Sequence, residues 1–252
     1  MAQVVGASWK FPTSCPSCEI SKRCARRENP FRMGQNRMPQ DGVLEAVKRI
    51  PGALEIRYDA GELLFQAGAF AAGVYVVEDG LVVRGFYREG NATPAFLAAP
   101  GDLVGVEAWM AEPAPRYRGF ARSLTPTRVW FVSFQDWAEA LACFEFQKLL
   151  LDRLARALLN REVLRSLVGE PERALAWLLW HWGEPKSGRL RLPANASLLA
   201  SLIGCSRNAV GRALEILLQE GAVELESGWV VSFPEALRAY FSEEAVTASL
   251  RG

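Results

Sequence analysis

The 252-residue sequence predicts an α+β chain: a small β-roll or barrel, one long helix and a C-terminal winged helix-turn-helix. Three observations predict it. Short β-rich pieces punctuated by turn residues fill residues 52–133. A helical period without Gly or Pro runs from Phe144 to Val168. Two helical stretches joined by Gly204-Cys205-Ser206 precede a hairpin.

Residues 1–40 form a cysteine-rich arm with few periodic apolar positions, so it needs an external tie to be ordered. The roll spans 41–141. Leu63–Phe65, Gly73–Val77, Leu81–Tyr87, Ala95–Leu97 and Arg128–Val132 read as its strands. Asp59-Ala60-Gly61, Glu78-Asp79-Gly80, Glu89-Gly90-Asn91 and Pro100-Gly101-Asp102 read as turns, where glycine supplies the positive φ that hairpins need. Residues 142–168 carry the long helix, part of a helical period from Phe134 to Leu167. Leu150, Leu154, Ala157, Arg161 and Leu164 follow 4-3-4-3 spacing, widened by Leu151 and Leu158. A seam that long pairs with another helix, which predicts a homodimer; packing on its own roll is the alternative. Arg161 on that seam would set like charges against each other across the dimer.

The winged helix-turn-helix spans 169–252. Gly169-Glu170-Pro171 breaks the long helix, Arg173–Trp182 is an aromatic-rich helix, and Gly183–Gly188 reads as a polar loop. Asn195 caps a helix at Ser197–Ile203 whose buried face is Leu198, Leu199, Leu202 and Ile203. Ser206 caps the next, Arg207–Glu220, whose buried stripe is Ala209, Val210, Ala213, Leu214 and Leu217. Arg207, Asn208 and Arg212 are left on the outward face at its N-terminal end. Arg takes guanine O6 and N7 in bidentate fashion, and Asn does the same for adenine. The net charge is only +1, so any nucleic-acid affinity must be local. Between Pro185 and Leu214 lie Lys186, Arg189, Arg191, Arg207 and Arg212 and no acidic residue, as a phosphate-facing surface requires. The predicted DNA-binding set is Asn195, Ser206, Arg207, Asn208, Arg212 and Lys186.

The stretch Gly204-Cys205-Ser206-Arg207-Asn208-Ala209-Val210-Gly211-Arg212 resembles the recognition motif of the CRP/FNR family of bacterial transcription regulators. Gly101-Asp102-Leu103-Val104-Gly105 is similar to the family's roll segment. The resemblance covers about residues 50–235 and implies a cyclic-nucleotide-binding-like β-roll, a dimerisation helix and a winged helix. It puts Arg207 and Arg212 on DNA-contacting positions, and Asn208 where many members carry Glu, which alters the half-site at one base pair. Members that bind cyclic AMP hold the ribose with a carboxylate, a role open to Asp102, and the phosphate with an Arg–Ser pair. That pair is missing from Pro115–Phe120, so the roll reads as a structural adaptor. The resemblance further implies double-stranded DNA, a second copy and RNA polymerase as partners, and no membrane.

Five cysteines, an odd number without an export signal, argue against a disulfide framework. Cys15, Cys18 and Cys24 make a C-x2-C-x5-C pattern that brings soft thiolates to one centre, suited to zinc or iron–sulfur. A redox disulfide and inert thiols are the other readings. The pattern is similar to the cluster-binding arm of the FNR-like branch, which implies an oxygen- or nitric-oxide-sensitive [4Fe–4S] cluster. That branch keeps a fourth Cys late in the roll, where this chain has Trp130. Cys143 is the leading fourth ligand, against a reading as a buried apolar residue. Cys205 fills the helix-turn-helix turn. A carboxylate could also complete the set. The alternative function is a regulator binding a small effector in the roll with structural zinc on the arm.

No nucleophile–base set and no phosphate-cradling Gly-rich loop is present, and the single histidine, His181, sits in an aromatic helix. An enzyme is therefore not expected. No apolar run reaches the roughly 18–20 residues of a membrane span. Met1–Lys10 lacks a cationic segment followed by an apolar one, and the chain is expected to be cytoplasmic.

Overall fold

The computed structural model describes residues 42–109 and 115–241. Cys15, Cys18 and Cys24 lie outside the described residues. The roll is two four-stranded antiparallel sheets. The first holds β1 (Leu54–Tyr58), β8 (Thr127–Ser133), β3 (Gly73–Asp79) and β6 (Leu103–Val104), in that order. The second holds β2 (Leu63–Phe65), β7 (Phe120–Ser123), β4 (Val82–Arg88) and β5 (Asn91–Ala98). Strand β3 is buried along most of its length, so Val74, Val76 and Val77 are fully enclosed. The β-branched residues suit such a position. Gly80 turns β3 into β4 at φ 85°, and a Cβ there would lie 2.5 Å from the Pro126 carbonyl oxygen. Only glycine serves at that turn.

A short helix α1 (Gly42–Val47) precedes the roll, and α2 (Phe134–Leu141) and α3 (Phe144–Ser166) follow it. The helical period from Phe134 is thus two helices, not one. Cys143 is the N-cap residue of α3, in extended conformation. Helix α1 packs against α3.

The 4-3-4-3 positions of α3 face inward except for Leu154. Leu150 is buried and Ala157, Arg161 and Leu164 are half-buried against the rest of the chain. Arg161 does not lie on an exposed seam: its guanidinium sits 4.0 Å above the Phe96 ring of β5. Turned outward instead are Phe144, Leu151, Leu154, Ala155, Leu158 and Leu159, with Phe144 72% and Leu151 67% exposed.

Helix α4 (Pro171–Trp182) begins the C-terminal region, and the Trp177 indole N–H donates to the Asn160 carbonyl of α3 at 3.0 Å. Gly183–Gly188 is not a loop throughout: β9 (Glu184–Lys186) pairs with β10 (Arg189–Pro193). The sheet runs β11 (Glu224–Glu226), β12 (Trp229–Ser232), β10, β9. Helices α5 (Ala196–Ile203) and α6 (Arg207–Gln219) lie between β10 and β11, and a short α7 (Pro234–Leu237) closes the region. One hydrophobic cluster runs from Leu81, Val83, Leu97 and Phe120 of the roll into Leu175, Leu178, Leu199 and Val210 of the C-terminal helices.

Candidate nucleic-acid interface

Helix α5 is started by Asn195, whose side-chain oxygen accepts from the Ser197 and Leu198 N–H groups, each at 3.1 Å. It ends at Gly204, whose left-handed φ of 72° turns the chain sharply. Ser206 then caps α6, accepting from the Ala209 N–H at 3.1 Å. Of the DNA-binding candidates, Asn195 and Ser206 therefore hold the two helices in place. Val210, Ala213 and Leu217 anchor α6 in the core. Arg207, Asn208 and Arg212 share its exposed N-terminal face, and none makes an ion pair or side-chain hydrogen bond among the described residues. The helix dipole adds positive potential at that end.

The acid-free window is less basic in space than in sequence. Arg189 pairs with Glu224 and Glu226 across the β-sheet, the latter at 2.6 Å. Arg191 pairs with Glu184 and lies 4.0 Å over the Trp229 ring. Those carboxylates flank the window in sequence, and the sheet folds them onto it. Lys186, exposed on β9, keeps a free charge among the described residues. The surface thus offers four unpaired polar groups: Arg207, Asn208, Arg212 and Lys186.

The roll's interior is filled with aromatic rings. Tyr117 stacks on Phe65 at 3.8 Å, and its hydroxyl donates to the Gly73 carbonyl at 2.9 Å. Burial pushes the Tyr75 hydroxyl up to about 12. Asp102, the ribose candidate, is already engaged: it accepts from the Ala99 N–H at 2.9 Å and from Arg153 of α3 at 2.8 Å. Arg116 donates to the Gly68 carbonyl. Trp130 donates its indole N–H to Glu78 at 3.0 Å.

Cys143 is buried, and its thiol donates to the Glu145 carboxylate at 3.1 Å. Burial pushes this thiol up, opposed by the Phe146 and Glu145 backbone N–H groups at the helix start. The Cys205 thiol is half-buried and also pushed up by burial. Among the described residues no three His, Cys, Asp or Glu side chains are grouped to hold a metal ion. Among them, too, no helix is long and apolar enough to cross a membrane.

Two family matches coincide with these two bodies. The cyclic nucleotide-binding domain matches residues 55–142, and the Crp-like helix-turn-helix domain matches residues 172–240. Together they span more than half of the chain, in roll-then-reader order.

The chain belongs to the CRP/FNR family of transcription regulators.

The fold agrees. A CRP-family transcriptional regulator of Thermus thermophilus, TTHB099, superposes with a TM-score of 0.57 at 20% identity, covering 73% of this chain and 95% of that one. The CRP/FNR-family regulator TTHA1359 of the same organism gives 0.51 at 23% identity, over 74% and 97%. FixK2 from Bradyrhizobium japonicum gives 0.52 at 21% identity, over 75% and 98%. No curated protein sequence matches the chain. As a CRP/FNR regulator with a Crp-like reader domain, this chain is a DNA-binding protein, and its family is not one of enzymes.

Proposed function

We propose that the chain acts as a cytoplasmic homodimer that binds an operator through Arg207, Asn208 and Arg212 of each α6. Its affinity is set by an oxygen-, nitric-oxide- or redox-sensitive [4Fe–4S] cluster on the arm, and RNA polymerase is its further partner. The observation that carries the DNA reading is the exposed, unpaired polar face at the start of α6. Its N-terminal residues are the ones a recognition helix presents to the major groove. The outward apolar stripe of α3 supports the dimer: Phe144, Leu151 and Leu158 recur along one side with no cover from the chain's described residues.

Cys15, Cys18, Cys24 and Cys143 would hold the cluster, which when bound supplies redox chemistry at iron. Cys143 sits at a helix N-terminus, where the Phe146 and Glu145 backbone N–H groups favour a thiolate, while burial and the Glu145 carboxylate hold the free residue as a thiol, so a metal must displace that proton to bind. The arm joins the described residues at α1, and α1 packs on α3, the helix that Cys143 starts. Tying the arm to Cys143 fixes it to the head of the proposed dimer helix. A ligand shifts such an equilibrium only by its differential affinity for the two states.

The test is anaerobic purification of the parent and of Cys15→Ser, Cys24→Ser and Cys143→Ser, with iron, sulfide and zinc analysis and operator binding. The parent is expected to be brown. The arm variants are expected to lose iron and change operator affinity together. A colourless parent with stoichiometric zinc would replace the cluster by the structural-zinc reading. A full, stable cluster in Cys143→Ser would remove Cys143 from the ligand set.

A further inference from the structure

Between β5, α3 and the start of the reader domain lies a cleft of about 360 Å³. Its walls are mostly apolar: Phe96 of the roll, Leu164 and Val168 at the end of α3, and Trp182 and Leu202 of the reader domain. Its polar side chains are Arg161, Arg165 and Ser201, and of the two arginines Arg165 is already paired. Cavities of roughly 300–1,000 Å³ with apolar walls and few convergent polar groups are the size of small-molecule sites.

Arg161 is a cation left over in a local charge cluster. Arg84, Arg165, Asp102 and Glu107 are the charged groups around it. Glu107 is taken by Arg84, Asp102 by Arg153, and Arg165 reaches Glu162 at 3.3 Å. Arg161 makes no ion pair among the described residues, and its Nε is buried without a hydrogen-bond partner. The Phe96 face at 4.0 Å compensates in part. A half-desolvated guanidinium beside an apolar cavity is complementary to one negative charge on an apolar body.

We propose that this cleft binds a small amphipathic monocarboxylate, with the carboxylate on Arg161 and the apolar body against Leu164, Val168 and Trp182. The site is lined by β5 residues Phe96 and Leu97 and not by the aromatic cluster of Phe65, Tyr75 and Tyr117, and it is independent of the cluster reading. Its position gives it leverage on DNA binding. Ser201 and Gly204 line it, Ser201 Oγ donates to the Pro94 carbonyl of β5 at 2.8 Å, and α6 starts three residues after Gly204. An occupant touches both the roll and the helix that seats the recognition helix.

The experiment titrates decanoate into the full-length chain, followed by tryptophan fluorescence and calorimetry, with decanol and inorganic phosphate as comparison probes. Decanoate is expected to bind saturably, one per chain, and about tenfold tighter than decanol, the scale of one charge-assisted contact. Arg161→Gln should weaken decanoate about tenfold and leave decanol unchanged. Val168→Trp, at the exposed mouth, should abolish decanoate binding while leaving the thermal melt like the parent's. Saturating decanoate should change operator affinity by about fivefold or more. No saturable binding, equal binding of decanol, or displacement of decanoate by millimolar phosphate would overturn the proposal. So would binding that both folded variants retain, or binding that leaves operator affinity unchanged.

Discussion

His181 packs its imidazole 4.1 Å from the Trp177 ring, and burial lowers its pKa from 6.5 to about 4. The folded chain therefore resists a proton that the unfolded chain accepts. Stability from the neutral imidazole is complete above about pH 6.5 and is lost as the pH falls toward 4, by roughly 3 kcal/mol in all. Denaturant unfolding at pH 7.5 and 4.5 checks this: His181→Phe should lose less between the two pH values than the parent. At the DNA surface, Arg207→Ala or Arg212→Ala should each cost about 1–3 kcal/mol and relax preference at one base pair. Lys186→Ala should weaken operator and random DNA alike and reduce the salt slope by about one. Arg189→Ala should leave that slope unchanged, because Glu224 and Glu226 already neutralise Arg189. Salt-dependent binding of the four variants separates these outcomes, and equal losses on specific and random DNA for the arginine variants would contradict base reading. Arg207, Asn208 and Arg212 were legible because caps and period fix a helix face within a dozen residues. The pairing of Arg189 was not, since its partners come from a strand some 35 positions away.

Periodicity identified α3 as a helix but not which side faces outward. A helix with Leu at so many positions offers two apolar stripes, and only the roll decides which is covered. The inner stripe took Leu150, Ala157, Arg161 and Leu164 of the regular spacing and left Leu154 outside. The dimer prediction therefore moves to the outer stripe: Leu151→Glu with Leu158→Glu should yield monomers by sedimentation. These side chains are exposed, so the variant should still melt cooperatively. A dimer that survives both substitutions would show that α3 is not the interface. Short elements were the least legible. Strands β6 and β9 have two and three residues, too few for a period, and exist because β3 and β10 offer them partners. The roll and the helix-turn-helix were read correctly because turn glycines and capping residues mark them locally.

At the scale of the whole molecule, what the sequence withheld is how the roll meets the reader domain. Apolar faces far apart in a chain do not name each other. Here they merge: Leu81, Leu97 and Phe120 share one core with Leu178, Leu199 and Val210. The Trp177–Asn160 and Ser201–Pro94 hydrogen bonds add polar pins across the same junction. That shared core bears on how such proteins can be recombined. A reader domain cut at Gly169 and grafted onto a foreign sensor would carry an uncovered apolar flank, sticky in solution and blind to the sensor's state. A successful transplant must move the β4–β5 hairpin and the end of α3 along with the recognition helix. The unit that evolution or a designer can exchange is therefore larger than the domain boundary suggests, and its natural cut lies inside the roll.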